Sequence, residues 1–231
     1  MSELEIDAVV FDVLGTLVDE PAGLRAGISA LDRSLDDAGT ERLLSLWQRH
    51  IEREQRRIAD GERPYVTSDT LDREAAQLVA DAEGVGDQGG GAVAALALAG
   101  RRLPPWPDTV AGLARLAEQF PLIGLSNASR KALLALNAHA GLRWHQALSA
   151  EDARTYKPDP AVYQLAVTVS GRPPERLLMV ATHAWDLRAA QHHGLRTAYV
   201  SRPVGDPPTP SDRFDLYADD LADLAAQLGR A

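Results

Sequence analysis

Four short apolar runs, separated by segments of helical pattern, constrain the fold of this chain more than any other feature. The runs are rich in Val, Ile and Leu and lie at residues 6–11, 122–125, 177–180 and 197–200. Apolar residues recur at helical spacing in the neighbouring segments 109–119, 129–140, 161–170 and 186–193. Short strands that alternate with helices predict an α/β fold with a mostly parallel sheet covered on both faces.

Residues 19–104 interrupt this alternation and contain no convincing strand. Apolar residues at helical spacing predict one helix from Leu44 to Ile58 and another from Leu71 to Val79. A Gly-rich loop at 84–91 and an Ala/Leu-rich helix follow. We therefore predict a helical cap at residues 19–104, inserted into a core that comprises residues 1–18 and 105–231 and ends in a helix from about Ala218.

Composition excludes several classes of function. The chain has 231 residues, no Cys and a net charge of −9, so disulfides, Cys-bound zinc and thiolate nucleophiles are ruled out, and a nucleic-acid backbone would be repelled. No apolar run reaches the roughly 18 residues of a membrane span, and the acidic first residues do not resemble a signal peptide. We expect a cytoplasmic enzyme with a small-molecule substrate and neither a nucleic-acid nor a membrane partner.

Polar residues that can carry chemistry follow the predicted strands. An Asp after a buried strand is often only a helix or turn cap. Here, however, several strand ends carry such groups, and in a parallel sheet those ends share one edge, where ligands bind. The group contains two carboxylates, an ammonium, hydroxyls, an amide and an imidazole: Asp12, Thr16, Ser126, Asn127, Lys157, His183 and Asp186.

Four segments of the chain resemble, in order, the four motifs of the haloacid dehalogenase (HAD) superfamily. They lie at residues 11–18, 125–127, 156–163 and 180–186. Ser-Asn-Ala-Ser, Tyr-Lys-Pro-Asp with a later Tyr, and Trp-Asp are most similar to the type II, L-specific 2-haloacid dehalogenases. The resemblance implies a Rossmann-like core with a helical cap after the first motif, which agrees with the insertion predicted above.

The resemblance also implies the chemistry. Asp12 would attack the α-carbon of a 2-haloacid, expel halide and form an aspartyl ester, which water would then hydrolyse to the 2-hydroxy acid. Lys157 would keep Asp12 ionised, because a nearby ammonium favours the carboxylate, and Asp186 would orient Lys157. No metal or other cofactor is implied. The implied substrate-binding residues are Thr16, Gln48, Ser126, Asn127, Tyr163, His183 and Trp185.

The second residue after Asp12 separates two kinds of enzyme. Phosphatases of this superfamily carry an Asp there, because an alkoxide leaving group must be protonated. This chain has Leu14, and a halide needs no proton, so the position favours a dehalogenase. A Leu that simply packs beneath the cap would also fit.

Four departures from the dehalogenase pattern affect the pocket rather than the nucleophile. Leu14 stands where an aromatic residue is common, Gln48 where an Arg follows a Leu-Trp pair, Ala181 where Ser is usual, and His183 where Asn is usual. We expect slow or narrow haloacid activity. Two alternatives stay open: a phosphatase with Mg²⁺ as cofactor, bound by Asp12, the Leu14 carbonyl and Asp186, and a catalytically idle relative.

The scarcity of lysine and the charged segment of the predicted cap are two further features of the sequence. Of the 24 basic residues only Lys131 and Lys157 are Lys, so Lys157 is expected to serve a purpose that Arg cannot. The charged segment 52–63 is expected to be a solvated helix face and a candidate contact in a homodimer.

Overall fold

The computed structural model describes residues 4–84 and 90–229. Its sheet has six parallel strands in the order β3-β2-β1-β4-β5-β6. The strands are β1 (Ala8–Phe11), β2 (Leu122–Ser126), β3 (Gln146–Ser149), β4 (Leu177–Ala181), β5 (Arg196–Val200) and β6 (Leu216–Ala218). The α/β fold and the four predicted strands are confirmed.

The two edge strands of the sheet, β3 and β6, were not predicted. The first two residues of β3 are exposed, and β6 has only three residues, so neither has the apolar run that identifies a buried strand. The helix expected from about Ala218 begins at Leu221 instead, because Ala218 is the last residue of β6.

Helices cover both faces of the sheet. Val9 and Phe11 point into one apolar cluster, and Ala8 and Val10 point into the other, as the two-residue period of a strand requires. The first cluster contains α5 (Thr109–Ala117), α6 (Arg130–Ala140) and α9 (Leu221–Leu228); the second contains α7 (Pro160–Ser170) and α8 (Ala184–His192).

Within the described residues, four α-helices lie between β1 and α5, and no strand of the sheet comes from this region. They are α1 (Glu20–Ser29), α2 (Asp37–Ala59), α3 (Ser68–Ala82) and α4 (Gly90–Leu96). Asp19 and Asp36 cap α1 and α2 by accepting amide hydrogen bonds. The helices share a separate apolar cluster. This cluster supports our proposal that residues 19–104 form a cap. Most of the expected Gly-rich loop, residues 85–89, lies outside the described residues.

The charged segment 52–63 is mostly a solvated face, as expected, but Glu54 is an exception. Glu54 is only 4% exposed. Its carboxylate accepts hydrogen bonds from Arg53, Arg57 and Arg63, and Arg63 also binds Glu74 of α3. These residues join α2 to α3 inside the cap. None of the helices in the described part of the chain is long and apolar enough to cross a membrane.

Candidate active site

The carboxyl ends of three adjacent strands bring the predicted site residues together. β1 pairs with β2 on one side and with β4 on the other, so the residues that follow these strands share one edge. Asp12 follows β1, and His183 follows β4. Ser126 is the last residue of β2, and Asn127 follows it. The site therefore forms where the topology of a parallel α/β sheet places ligands.

Lys157 lies between the two carboxylates of this edge. Its Nζ donates to Oδ1 of Asp12 at 3.0 Å and to Oδ2 of Asp186 at 2.7 Å. The Lys157 side chain is 1% exposed. Burial by itself lowers the pKa of the ammonium, but the two carboxylates outweigh burial and raise the pKa above its ordinary value. The geometry is that of a buried cation that fixes the position of Asp12.

Each oxygen of Asp186 accepts a hydrogen bond from a different donor. Oδ2 accepts from Lys157, and Oδ1 accepts from the hydroxyl of Tyr163 at 2.6 Å. Burial raises the pKa of Asp186, and the charge of Lys157 opposes this effect. Burial, reinforced by the charge of Asp186, also raises the pKa of Tyr163, which keeps that hydroxyl a donor. Because both oxygens accept from donors, the arrangement is that of a carboxylate anion.

Thr16 binds the other oxygen of Asp12. Its hydroxyl donates to Oδ2 at 2.7 Å and accepts a hydrogen bond from the amide of Thr182 at 3.0 Å. The two Asp12 oxygens therefore have separate donors, Lys157 and Thr16. Asp12 nevertheless retains 7% exposure, so an opening to the surface remains beside a fixed carboxylate.

Ser126 and Asn127 shape the adjacent turn. Oγ of Ser126 accepts from the amide of Ala128. Oδ1 of Asn127 accepts from the backbone amide of Lys157 at 2.9 Å, and its Nδ2 donates to Oε1 of Gln55 at 2.9 Å. Gln55 lies on α2, and sequence reasoning missed it because nothing in the local pattern distinguishes it from other polar residues of that helix.

His183 contacts the loop after β1 and the loop between β5 and β6. Its Nε2 is 3.2 Å from the carbonyl oxygen of Leu14, and its Nδ1 is 3.7 Å from Oδ1 of Asp206. Burial lowers the pKa of His183, but Asp206 and the charges of Asp12 and other carboxylates overcome burial and raise it to about 9. The rings of His183 and the half-exposed Trp185 are 6.0 Å apart.

Side chains from distant segments hold the loop that carries the nucleophile candidate. The carbonyl oxygens of residues 14–16 face, in chain order, His183 Nε2 at 3.2 Å, Trp106 Nε1 at 2.9 Å and Arg202 Nε at 2.9 Å. Sequence reasoning missed Trp106 and Arg202. Arg202 follows the end of β5, so its position at a strand end was a usable signal.

Gln48 and Leu14 are two of the positions that depart from the dehalogenase pattern. Gln48 is half-buried on α2, and none of the hydrogen bonds among the described residues joins it to the cluster around Asp12. Arg49, the next residue of α2, is exposed, so it faces a different side of the helix from Gln48. Leu14 packs against the apolar core below the sheet edge.

Comparisons with known proteins agree with this arrangement. A family model for haloacid dehalogenase-like hydrolases matches residues 6–194. An (S)-2-haloacid dehalogenase 4A of Burkholderia cepacia is 32% identical over 213 residues, 87% of this chain and 85% of the relative.

Two solved structures superpose on nearly the whole chain. A defluorinating L-2-haloacid dehalogenase is 34% identical, with a TM-score of 0.88 and coverage of 98% of this chain and 96% of the other. The L-2-haloacid dehalogenase of Xanthobacter autotrophicus with chloropropionic acid covalently bound is 26% identical, with a TM-score of 0.83 and coverage of 98% and 99%. From the matching family model, these similarities and the strand-edge cluster around Asp12, we conclude that this chain is an enzyme of the haloacid dehalogenase-like hydrolase family.

Proposed function

We propose that this enzyme hydrolyses L-2-haloacids to 2-hydroxy acids without a metal, through an ester on Asp12. The observation that carries this proposal is the fixed Asp12 carboxylate, which binds Lys157 through one oxygen and Thr16 through the other. A carboxylate that is ionised, oriented and open on one side is suited to nucleophilic attack. The relatives described above are 2-haloacid dehalogenases, and this similarity supports 2-haloacids as the substrate class.

The reaction balances in two steps. An oxygen of Asp12 forms a bond to C2 of the substrate, and the halide leaves with the electron pair of the carbon–halogen bond. Water then attacks the carbonyl carbon of the Asp12 ester, so the C2–oxygen bond stays with the product and the 2-hydroxy acid departs. The water supplies one oxygen to Asp12 and the proton of the product hydroxyl, and one further proton is released to solvent.

The surrounding residues have distinct proposed roles. Lys157 and Thr16 hold Asp12, while Asp186 and Tyr163 hold Lys157. Ser126 and nearby backbone amides bind the substrate carboxylate.

The remaining pocket residues would contact the leaving group or the substrate body. We assign Asn127 and Trp185 to the departing halide, and His183 and Gln48 to the substrate body. The covalently bound chloropropionic acid in the Xanthobacter structure supports an ester intermediate in this chain as well.

The donors present support metal independence. A Mg²⁺ ion in this site would need Asp12, the Leu14 carbonyl and Asp186 together. Here the two carboxylates share Lys157, and the Leu14 carbonyl faces the imidazole of His183. Nitrogen donors therefore already face one oxygen of each carboxylate and the Leu14 carbonyl, so these residues do not suit a magnesium site.

Halide release tests the proposal directly. The enzyme is assayed with a panel of short 2-haloacids in both enantiomers, with EDTA and with added Mg²⁺. We expect halide from the L-enantiomers, unaffected by EDTA. Turnover of a generic phosphate ester that requires Mg²⁺ would support the phosphatase alternative instead, and no hydrolysis on either panel would support the idle relative.

Isotope labelling tests the intermediate. A single turnover in ¹⁸O water should place the label in Asp12, because water attacks the ester carbonyl. Asp12→Asn should fold like the wild type, measured by circular dichroism, and release no halide. An active wild-type enzyme that labels no aspartate would contradict the covalent mechanism.

A further inference from the structure

We propose that Asp206 is a positioning residue that holds His183 as an imidazolium, and that this fixed cation allows an anionic substrate to approach Asp12. The inference rests on the proposed function, because it concerns how the same site accepts a haloacid. Asp206 lies in the loop between β5 and β6, outside the four motifs that carry the family resemblance.

The neighbours of the two His183 ring nitrogens favour a charged ring. Nε2 is 3.2 Å from the carbonyl oxygen of Leu14, which can only accept, so Nε2 carries hydrogen. Nδ1 is 3.7 Å from a carboxylate oxygen of Asp206, too far for a hydrogen bond, and a hydrogen on Nδ1 gives the ring a positive charge opposite that carboxylate. A doubly protonated imidazole is a cation.

The charge of the buried cluster explains why such a cation is useful. Lys157 contributes one positive charge, and Asp12 and Asp186 contribute two negative charges, so the three groups together carry one negative charge. A 2-haloacid is itself an anion at neutral pH, and its leaving group departs as a second anion. Inside a poorly screened site these charges repel. A cation at His183 offsets the excess charge, and Gln48, which stands where the dehalogenase pattern has an Arg, adds no positive charge.

The backbone around Asp206 brings its carboxylate to His183. Gly205 adopts φ +96°, and a Cβ at this position would lie 2.8 Å from the carbonyl oxygen of Thr182. Glycine therefore allows the loop to approach the end of β4 closely. The Asp206 carbonyl then accepts from the amide of Ala184, which fixes the loop against the start of α8.

One Asp206 oxygen is used for anchoring, and the other is left for His183. Oδ2 accepts from the amide of Trp185 at 3.1 Å and from Arg188 at 3.3 Å. Oδ1 is buried and has no hydrogen-bond partner within the described part of the chain. At 3.7 Å from Nδ1 of His183 it makes an ion pair rather than a hydrogen bond.

Other charges near His183 enter the test. Asp12 after β1, Asp186 in α8 and Glu20 in α1 also favour the imidazolium. Burial raises the pKa of Glu20 to about 7, so Glu20 changes charge in the pH range of interest. The comparisons below are therefore repeated in a Glu20→Gln background.

Asp206→Asn is the decisive variant, compared with Asp212→Asn as its control. Asp212 lies in the same loop and pairs with the same Arg188, so it reports loop damage without loss of the charge at His183. The pKa of His183 is measured by NMR titration of its imidazole, assigned with His183→Gln. We expect Asp206→Asn to lower this pKa by about one unit or more, and Asp212→Asn to leave it unchanged.

Haloacid kinetics supply the second measurement. At pH 8, Asp206→Asn should lose roughly twofold in kcat/KM, mainly through KM, because a His183 pKa lowered from about 9 to about 8 reduces the imidazolium fraction from about nine-tenths to about half. Activity should recover toward wild type at pH 6, where the imidazole is protonated without help. His183→Gln should show the same loss at both pH values.

The possible results separate the two proposals. An unchanged His183 pKa in Asp206→Asn, or a loss of activity equal at pH 6 and pH 8, would overturn the role of Asp206. A wild-type enzyme without halide release would overturn the proposed function alone, because the NMR titration does not depend on turnover.

Discussion

Lys157 shows how closely one residue can be specified by its surroundings. Its ammonium reaches two carboxylates at 3.0 and 2.7 Å from a side chain that is 1% exposed. The point charge of an ammonium fits between them, whereas the planar guanidinium of an Arg is larger and binds in a different geometry. In a chain with only two lysines, this difference accounts for the retention of Lys here.

Lys157→Arg is therefore expected to lose roughly hundredfold or more in kcat, equivalent to about 2.7 kcal/mol of transition-state stabilisation. Lys131→Arg is the matched control, because Lys131 is the other lysine and is exposed; it should keep full activity. Rates are measured by halide release. A Lys157→Arg enzyme with near wild-type rates would show that only the charge matters at this position.

Gln48 carries the second prediction at the scale of a residue. An amide makes weaker, uncharged hydrogen bonds to a carboxylate or halide than a guanidinium does. Gln48→Arg should therefore raise kcat/KM for a short 2-haloacid by roughly tenfold, or about 1.4 kcal/mol. A lower activity in Gln48→Arg would indicate that Gln48 is adapted to a different 2-substituted acid.

Helix α2 contacts the core through an amide hydrogen bond, in addition to Ile58, which packs into the same apolar cluster as α7 and α8. Gln55 accepts from Asn127, and Asn127 in turn accepts from the amide of Lys157, so the cap reaches the segment that positions the ammonium. A hydrogen bond between neutral groups contributes about 0.5–1.5 kcal/mol. Because this free energy is small, the contact favours the position of α2 over the site but does not fix it there.

Gln55→Ala should lower kcat/KM by roughly threefold to tenfold, since about 0.5–1.5 kcal/mol of this preference is lost. Gln77→Ala on α3 is the control, because Gln77 is exposed and binds only Asp81 of its own helix. Steady-state kinetics and thermal melting are compared for both variants. Equal kinetics in the two variants would show that the contact does not act on the site.

The same helix carries the buried carboxylate of Glu54. Burial alone would raise its pKa, but hydrogen bonds from Arg53 and Arg63 and the charge of Arg57 lower it to about 2. A carboxyl group whose pKa is lowered on folding contributes stability above its unfolded value of about 4.5, and this stability is lost as the pH falls toward 2.

Glu54→Gln should therefore lower the unfolding free energy at pH 7 by about 3 kcal/mol, because it removes one partner of a buried ion cluster. Glu52→Gln, at an exposed position of the same helix, should change it by less than about 0.5 kcal/mol. Denaturant unfolding measures both. A Glu54→Gln protein as stable as the Glu52→Gln protein would contradict the stabilising role of the cluster.

For the whole molecule, two titrating groups near the site set the expected pH dependence of stability. The pKa of His183 is raised to about 9, so its contribution is present in full below about pH 6.5 and is lost as the pH rises through 9. The pKa of Glu20 is raised to about 7. Folding favours the neutral form of Glu20, so its contribution to stability is present below its unfolded pKa of about 4.5 and is lost as the pH rises through 7.

The free energy of unfolding is therefore expected to fall between about pH 5 and pH 9. Urea unfolding at several pH values checks this trend. His183→Gln should flatten the upper part of the curve, and Glu20→Gln the lower part. Stability that rises across this range would contradict both assignments.

The association of whole molecules is a separate proposal. A homodimer stays a prediction, which light scattering of the purified protein tests. Because Glu54 belongs to a buried ion cluster, any dimer contact in the segment 52–63 would have to use the exposed residues around it.

Local patterns in the sequence determined the central strands, the inserted helices and the residues that follow the strands. Each of these features depends on neighbours along the chain. The run at residues 6–11 is largely apolar because the strand within it is buried on both sides, and Asp12 is the first residue after that strand. The family motifs also depend on short spacings, so Asp12, Lys157 and Asp186 could be named before their contacts were known.

Only the tertiary structure showed the contacts that join distant segments. Gln55, Trp106, Arg202 and Asp206 reach the site across 72, 91, 186 and 23 positions, to Asn127, Gly15, Thr16 and His183. The local pattern around each of them does not name its partner, because a polar side chain on a helix or loop can meet many partners. The edge strands β3 and β6 were missed for a related reason: their hydrogen bonds to β2 and β5 define them, and their own sequences are too short or too exposed to do so.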